Sequence, residues 1–424
     1  MEKKTVHLVM IGHIDHGKST LIGRLLLNTN SLPDGRLDEI KKISRENNKA
    51  TELSFLVDQL KEERLQNRTI ETTQINFKTE RRNYVLIDVP GHAEFIKNML
   101  TGASMADAAV LIIDAHQGIK EQTRRHAYLI KLLGIQKVMV VLNKMDLTHY
   151  KKERFETLKA ELLEFFKKLG LTFSFIIPVS AKEDQNITCR SKRMRWYKGP
   201  AFLQALDRIK TVRETRKKPL RFCIQDVFRV NKENLAMGKV LSGNIRTGQD
   251  VTVMPSGKRT RVSFIKVFNR SKKSAQAGEN IGIKLHDPSA IARGQIITGA
   301  NNQLLPVYNF KASVFWICRK TLRLNKPFFL RFAAQEVKCT AERIEKRINS
   351  VTLKALKGST GKLMKNEAAI VVFRTRGPLV IENFSFIEEL GRFVIEHKNS
   401  LCGVGIVNDP KLKYNTRITK IFRK

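Results

Sequence analysis

Eight residues near the start of the chain have the types and the spacing needed to bind a nucleoside triphosphate. They run from Gly12 to Ser19, read GHIDHGKS and fit the pattern G-x-x-x-x-G-K-[ST], between a strand-like run and a helix-like segment. Glycines let backbone N–H groups surround phosphate oxygens, and a helix start adds positive potential. The lysine can neutralise the β- and γ-phosphates, and the serine hydroxyl can coordinate Mg²⁺. The predicted phosphate-binding residues are Gly12, His13, Ile14, Asp15, His16, Gly17, Lys18, Ser19 and Thr20.

A second motif, Asp88-Val89-Pro90-Gly91, directly follows the apolar run Tyr84–Ile87. An aspartate in this position can hold Mg²⁺ through a water molecule, and the N–H of Gly91 can contact the γ-phosphate. The sequence therefore predicts a Mg²⁺ site that includes Ser19 and Asp88, with Gly91 among the phosphate-binding residues.

Two further motifs predict which base is bound. Asn143-Lys144-Met145-Asp146 ends one strand-like run, and Ser180-Ala181-Lys182 ends the next. A carboxylate can accept hydrogen bonds from N1 and the exocyclic amine of guanine, a pair that adenine does not offer, and a backbone N–H of the second motif can reach guanine O6. Four motifs in order on successive strand ends predict GTP and GDP as ligands. The predicted guanine-binding residues are Asn143, Lys144, Asp146, Ser180, Ala181 and Lys182.

The elements that must position these motifs alternate along the first half of the chain. Strand-like runs such as Val6–Ile11 and Ala109–Ile113 alternate with helix-like segments such as Lys18–Leu27 and Lys151–Leu169. This alternation indicates βαβ units and a mostly parallel sheet with helices on both faces. We therefore predict an α/β P-loop domain over residues 1–210.

The sequence changes character after this domain. A basic stretch over residues 211–218, closed by Pro219, predicts a linker. Beyond it, short alternating runs with β-branched residues are separated by glycine-containing turns such as Ser242-Gly243. Many short strands with such turns favour β-barrels. We predict two all-β barrel domains, over residues 219–305 and 306–424.

The charge of the chain is unusual for its size. The 424 residues include 78 Lys+Arg and 40 Asp+Glu, a formal net charge of +38, of which residues 1–210 carry +11 and residues 211–424 carry +27. Such a surplus attracts polyanions, including nucleic acid, although a lysine-rich surface without a dedicated partner is the alternative. An apolar fraction of 42% excludes a disordered chain.

Cysteine usage and hydropathy indicate the cellular compartment that the protein occupies. The five cysteines stand singly, without C-x-x-C spacing, which fits a reducing compartment and argues against a disulfide framework or a zinc site. The N-terminus lacks the apolar core of a signal peptide, and no run approaches 18 apolar residues. We expect a cytoplasmic protein without a membrane partner.

The four motifs together resemble the translational-factor class of GTPases, whose members combine a nucleotide-binding domain with two β-barrels. The resemblance implies that His92, the residue after D-x-x-G, is catalytic and positions the attacking water. It also implies that Thr69 in the first switch completes the Mg²⁺ shell when GTP is bound.

The first switch departs from the pattern of this class, which is Gly-Ile-Thr-Ile. Here Asn67 replaces the glycine and Arg68 replaces the isoleucine. In elongation factor Tu-like proteins that isoleucine and the residue matching Ile14 form an apolar gate before the histidine. A charged Arg68 cannot form half of an apolar gate, so we expect altered basal hydrolysis, which a comparison of GTP turnover with an Arg68→Ile variant tests.

Two branches of the class resemble the chain over nearly its whole length. Features such as Thr20–Leu26, Val57–Leu60 and Val253–Gly257 favour the GTP-binding large subunit of heterodimeric sulfate adenylyltransferase (ATP sulfurylase). That branch implies a small catalytic partner subunit that forms adenosine 5′-phosphosulfate from ATP and sulfate, driven by GTP hydrolysis here. It is the main prediction from the sequence.

The alternative branch is elongation factor one-alpha, which carries aminoacyl-tRNA. His16 and the basic excess favour it, and the clusters Arg190–Lys198, Arg213–Arg221 and Arg270–Lys273 are candidate RNA contacts. A GTPase with neither partner is a third possibility, because partner choice depends on surfaces that one sequence does not reveal.

Overall fold

The chain folds into two compact units. The first comprises residues 1–211 with 350–353, and the second comprises residues 212–349 with 354–424. The computed structural model describes residues 5–13, 15–32, 73–88, 106–135, 137–209, 217–230, 233–267, 270–287, 291–352, 354–358, 360–398 and 400–410.

A six-stranded sheet forms the centre of the first unit, in the order β2-β3-β1-β4-β5-β6. The strands are β1 (Thr5–Gly12), β2 (Thr73–Lys78), β3 (Asn83–Asp88), β4 (Ala108–Asp114), β5 (Val138–Asn143) and β6 (Phe173–Pro178). Strands β3, β1, β4, β5 and β6 are parallel, and β2 runs antiparallel along the edge of β3. The carboxyl ends of the five parallel strands therefore meet at one edge.

Helices occupy the connections between these strands. They are α1 (Lys18–Asn28), α2 (Glu121–Leu132), α3 (Lys152–Leu169) and α4 (Phe202–Asp207), with a 3₁₀ turn at Met145–Thr148. In α3, six apolar side chains at helical spacing are buried, and the helix ends at Gly170 in the left-handed conformation, with φ 65°. The helix predicted over Lys151–Leu169 is confirmed and begins one residue later.

Burial explains why the strands of this sheet could be recognised in the sequence. Every residue of β4 and β5 is buried, as expected of central strands covered on both faces. The strands predicted around Val6, Tyr84 and Ala109, and the two strand-like runs that end at the base motifs, are all present and extend one or two residues further. Strand β2, half exposed along the edge, was not predicted.

The second unit contains two barrels. In the first, the order is β10-β15-β7-β8-β14-β11-β12, and an additional pairing of β10 with β11 closes six strands into a ring. The strands are β7 (Arg221–Val230), β8 (Glu233–Ser242), β9 (Asn244–Arg246), β10 (Asp250–Met254), β11 (Lys258–Val267), β12 (Arg270–Lys272), β13 (Ser274–Gln276), β14 (Asn280–Leu285) and β15 (Ile296–Gly299). Strands β9 and β13 pair with each other.

The other barrel is closed in the order β16-β21-β19-β18-β22-β23. The elements of this region are β16 (Val307–Trp316), β17 (Leu322–Arg323), β18 (Pro327–Phe332), β19 (Gln335–Asn349), β20 (Lys362–Leu363), β21 (Glu367–Leu379), α5 (Glu388–Gly391), β22 (Arg392–His397) and β23 (Ser400–Asp409). Strands β19 and β21 are longer than the short strands that the sequence predicted. The predicted fold class, an α/β domain followed by two all-β barrels, is confirmed, while the exact domain and linker boundaries stay predictions.

Four phenylalanine rings form the centre of this closed barrel. Phe310 lies 5.3 Å from Phe373 and 5.7 Å from Phe393, and Phe332 stacks on Phe393 at 4.8 Å, each distance between ring centroids. All four are fully buried. Alternation along β18, where Phe328, Leu330 and Phe332 are buried and their neighbours exposed, produces this core from a period of two residues.

A buried ion pair joins the two barrels within the second unit. Arg221 at the start of β7 donates hydrogen bonds of 3.2 and 2.9 Å from Nε and Nη2 to Oε1 of Glu382, and both side chains are mostly buried. The same guanidinium donates to the carbonyl oxygens of Leu220 and Asn302. Four satisfied donors explain how the charge is tolerated in a buried position.

Among the described residues, none of the helices has the length and apolar composition that a membrane crossing requires.

Candidate nucleotide site at the carboxyl edge of the parallel sheet

The loop between β1 and α1 has the conformation that its glycines allow. Asp15 and Gly17 both have positive φ, 63° and 79°, and α1 begins directly afterwards at Lys18. A β-carbon on Gly17 would lie 2.4 Å from Nδ2 of Asn143, so both the backbone conformation and the space require glycine. Ile14 lies outside the described residues.

The start of α1 is suited to an anion. No side chain caps this helix end, and its first turn contains no acidic residue. The first-turn amides, which belong to Lys18, Ser19 and Thr20, have no intrahelical acceptor at an α-helix N-terminus, and the helix dipole adds positive potential there. The three residues are only partly buried. This donor set fits the phosphates that the sequence predicts.

Lys18 at the start of α1 and Asp88 at the end of β3 come together. Nζ of Lys18 lies 3.6 Å from Oδ1 of Asp88, and both side chains are largely buried. The pair follows from the topology, because β1 and β3 are adjacent and parallel. The structure therefore brings together Lys18, which was predicted to bind phosphate, and Asp88, which was predicted to bind Mg²⁺. Gly91, His92, Thr69, Asn67 and Arg68 lie outside the described residues, and their roles stay predictions.

Asn143 connects the phosphate loop to the second base motif. Its Nδ2 donates a hydrogen bond of 2.9 Å to the carbonyl oxygen of His16, and its Oδ1 accepts one of 3.0 Å from the N–H of Ala181. The side chain is 2% exposed. The structure shows Asn143 fixing the distance between the loops on either side, and its predicted contact with the base stays a prediction.

Asp146 and Ser180 meet at the opening of the same edge. The hydroxyl of Ser180 donates a hydrogen bond of 2.6 Å to Oδ1 of Asp146 and accepts one of 3.2 Å from the N–H of Glu183. The bond orients the carboxylate, which retains a second oxygen as an acceptor. Lys182 is exposed beside them. The structure thus brings the two predicted base motifs together.

Asp114 is a site residue that sequence reasoning missed. It ends β4 and is 1% exposed, and Nζ of Lys144 lies 3.0 Å from its Oδ2. Burial alone would raise the pKa of Asp114, but hydrogen bonds from Lys144 and from the N–H groups of Gln117 and His116 outweigh it and hold the pKa below its usual value. The sequence did contain a signal that could have identified Asp114, because it lies at the carboxyl end of a predicted strand, between two strands that end in motifs.

Arg24 is a second missed residue. Its Nε and Nη2 donate hydrogen bonds of 3.0 and 2.7 Å to the carbonyl oxygens of Ala181 and Lys182. One turn later on α1, Asn28 donates a bond of 2.8 Å to Asp184. Side chains of α1, the helix that starts at the phosphate loop, therefore hold the loop of the second base motif in place by hydrogen bonds. No local sequence pattern indicates such a contact across 157 positions.

Two buried histidines lie near the phosphate loop. His16 is fully buried, and its ring Nδ1 donates to the carbonyl oxygen of Ile112 at 3.2 Å. Burial lowers the pKa of His16. Burial also lowers the pKa of His126 on α2 to about 3, with the positive charge of Lys18 adding to the effect. Neither buried ring therefore carries a positive charge at neutral pH, whereas Lys18 does.

Comparison with known proteins agrees with this geometry. The family described as elongation factor Tu GTP binding domain matches residues 3–218, elongation factor Tu domain 2 matches residues 234–298, and GTP-eEF1A C-terminal domain-like matches residues 309–408. Elongation factor 1-alpha of Metallosphaera sedula is 34% identical over 97% of this chain and 98% of its own length. The one of Archaeoglobus fulgidus is 35% identical over 96% and 98%.

Among solved structures, the chain is similar to sup35 complexed with GMPPNP, with a TM-score of 0.46 and 24% sequence identity over 97% of this chain and 95% of that one. The relatives that carry weight are the two curated proteins, which match it nearly end to end at more than 30% identity. The glycine loop, the buried Asn143 bridge and the Asp146–Ser180 pair lie within the matched GTP-binding domain. The chain is a GTP-binding member of the elongation factor Tu and elongation factor 1-alpha family of translational GTPases.

Proposed function

We propose that this protein is an elongation factor 1-alpha-type GTPase that binds aminoacyl-tRNA in its GTP-bound state. The observation that carries the proposal is the similarity to curated elongation factors 1-alpha over nearly the whole of both chains, barrels included. The main prediction from the sequence, the large subunit of sulfate adenylyltransferase with a small catalytic partner, has no support from these relatives. The alternative drawn from the sequence is the better supported one.

The first unit would supply the GTPase. The amides of the loop and of the α1 start, together with Lys18, would bind the phosphates, and Asp146 would accept hydrogen bonds from the N–H groups of guanine. Ser19 and Asp88 would hold Mg²⁺, with Thr69 as the ligand implied by the family resemblance. When bound, the ion neutralises charge on the β- and γ-phosphates. His92 would orient the attacking water.

The second unit would supply RNA contacts, but the three basic clusters are not equivalent. Arg190 and Arg193, in the first cluster, bond to the carbonyl oxygen of Tyr197 and to the carboxylate of Glu183. Arg221, in the second, is buried against Glu382. These three arginines already have partners within the protein. In the first cluster, Lys192, Arg195 and Lys198 are also exposed, but the buried Met194 and Tyr197 lie between them, and residues 213–216 of the second cluster lie outside the described residues. In the third cluster, Arg270–Lys273, every residue is exposed.

This exposed cluster forms a patch with one more arginine. We define the β12 patch as Arg246, Arg270, Lys272 and Lys273, which are all exposed. Strand pairing brings Arg246 opposite Ser274, next to Lys273. Lys272 pairs with Glu279, which leaves three further cations in the patch. Cations spaced along strand edges suit contacts with successive phosphates, which position an RNA without reading its sequence.

Filter-binding titration of the purified protein with aminoacyl-tRNA tests the proposal. We expect binding with a non-hydrolysable GTP analogue and at least about tenfold weaker binding with GDP, within the usual range of coupling between two ligands. Uncharged tRNA is the matched control for the aminoacyl group. Equal affinity in both nucleotide states would contradict a delivery role. Recovery of a small sulfurylase subunit instead of tRNA from the native cell would restore the other interpretation.

A further inference from the structure

Two cysteines face each other at one end of the closed barrel. Cys318 follows the end of β16, and Cys402 lies on the neighbouring strand β23. The N–H groups of Ile317 and Cys318 both donate to the carbonyl oxygen of Cys402, at 2.8 and 3.2 Å. The thiol of Cys402 lies 3.1 Å from the sulfur of Cys318. Backbone bonds thus hold the two side chains in register.

The sulfur atoms are in contact at 3.1 Å but are not bonded. Both residues are free thiols, and a disulfide has an S–S distance of about 2.05 Å. The remaining gap is on the order of 1 Å. Cross-linking would join positions 84 residues apart in the chain.

An oxidant can reach the pair from two sides. Cys318 is partly exposed, whereas Cys402 is 3% exposed but lines an apolar cavity of about 400 Å³. Trp316, Leu322 and Phe328 form walls of this cavity, with Lys320 at its edge. The space admits a molecule as small as a hydroperoxide next to the buried sulfur. Burial raises the pKa of the Cys402 thiol to about 12, so the more exposed Cys318 is the better first nucleophile.

We propose that Cys318 and Cys402 are a reversible thiol–disulfide pair that a hydroperoxide oxidises. The sulfur of Cys318 attacks one oxygen of the hydroperoxide and the O–O bond breaks; the departing oxygen takes the Cys318 thiol proton, which yields a sulfenic acid and an alcohol, or a water molecule when the oxidant is hydrogen peroxide. The sulfur of Cys402 then attacks this sulfenic sulfur, the S–O bond breaks, and the departing hydroxide takes the Cys402 thiol proton and leaves as water. In total, the two thiols lose two electrons and two protons, and one peroxide is reduced. A dithiol reductant reverses the step.

Mass spectrometry of the full chain tests the proposal directly. The protein is treated with hydrogen peroxide, its remaining thiols are alkylated after unfolding, and trypsin then separates all five cysteines onto different peptides. We expect a disulfide between peptides Ala312–Arg319 and Asn399–Lys411, with free thiols falling from five to three. Dithiothreitol should restore all five.

Cysteine variants distinguish specific linkage of Cys318 to Cys402 from general oxidation of the thiols. In Cys402→Ser, Cys318 should accumulate as a sulfenic acid that dimedone traps, and Cys318→Ser should abolish the linked peptide. Cys339→Ser, a buried cysteine of the same barrel, is the matched control and should leave the linkage intact. The proposal is overturned if peroxide oxidises the exposed Cys189 while Cys318 and Cys402 remain unlinked. Linkage of either residue mainly to Cys189 would also overturn it.

Discussion

The nucleotide site of the first unit and the β12 patch of the second use polar side chains in opposite ways. At the sheet edge, Asp114 and Asn143 are at most 2% exposed and each has partners within the protein. In the patch, every cation is exposed. Buried polar groups must be satisfied in one geometry and so can discriminate between ligands, whereas exposed charges are screened and attract any polyanion. Ligand affinity at the nucleotide site should therefore change when a single atom is replaced. Affinity at the β12 patch should change with the number of charges and with the salt concentration.

The largest effect expected is loss of guanine selectivity in Asp146→Asn. An amide accepts one hydrogen bond where the carboxylate accepts two, and its NH₂ opposes the guanine N–H groups. Losing two charge-assisted bonds should weaken GTP binding by about 3–4 kcal/mol, roughly 10²–10³-fold. Xanthosine triphosphate, which presents an oxygen at the altered position, should bind better than GTP.

Isothermal titration with both nucleotides measures this reversal. Asp184→Asn is the matched control, because this carboxylate on the same loop bonds to Asn28 and should leave GTP affinity nearly unchanged. Unaltered GTP affinity in Asp146→Asn would contradict the assigned base site.

The next effect concerns acid stability and His126. Its pKa is about 3 in the fold and 6.5 in the unfolded chain, so only the unfolded state binds the proton between these values. The neutral His126 ring therefore lowers the stability of the fold only below pH 6.5, and the loss grows as the pH falls toward 3. At pH 4 the free energy of unfolding is lower by about 3 kcal/mol than above pH 6.5. His126→Gln should flatten this part of the pH dependence.

Denaturant unfolding at pH 7 and pH 4 checks this expectation. Each unit contains one tryptophan, so Trp196 fluorescence in a Trp316→Phe background follows the first unit alone. The exposed His149 is the control, and His149→Gln should retain the pH dependence of the parent. Equal slopes in the parent and in His126→Gln would show that His126 titrates normally.

A smaller loss of stability is expected for Gly17→Ala. The substitution combines a positive φ, which costs about 1 kcal/mol in a residue with a β-carbon, with a contact of 2.4 Å to Asn143. We expect a total of about 2 kcal/mol together with weaker GTP binding. Gly248→Ala separates the two causes, because φ there is 82° and no heavy atom lies within 4 Å of the added carbon. The same Trp196 measurement applies to Gly17→Ala, and Trp316 reports on the Gly248 control.

The smallest effect per residue is expected in the β12 patch. Neutralising Arg270 and Lys273 to Gln should reduce tRNA affinity about three- to tenfold at low salt and lower the salt-dependence slope by about two. Lys159→Gln with Lys168→Gln removes the same charge from surface ion pairs of α3 and is the matched control. Equal losses in both variants would show that net charge alone attracts RNA.

Sequence and structure agree best where chemistry restricts the residue type. The phosphate loop was predictable because Gly17 tolerates a conformation and a closeness that other residues do not, and the central strands because β4 is apolar up to its last residue, Asp114. The contacts of Arg24 were not predictable, since they join segments 157 positions apart in the chain. Asp114, in contrast, could have been found from its place directly after a predicted strand. The basic clusters misled in part, because composition does not show that Arg193 and Arg221 already have carboxylate partners.

The bridge made by Asn143 has a consequence for the energetics of ligand binding. One amide fixes the separation between the His16 carbonyl and the Ala181 N–H, so the subsites predicted for base and phosphates are parts of one rigid frame. A ligand that spans both then binds its second end at a high effective concentration, without a further loss of rotational freedom. Guanosine and inorganic triphosphate added separately would lack this advantage. The affinity for GTP therefore belongs to the intact nucleotide more than to either of its ends.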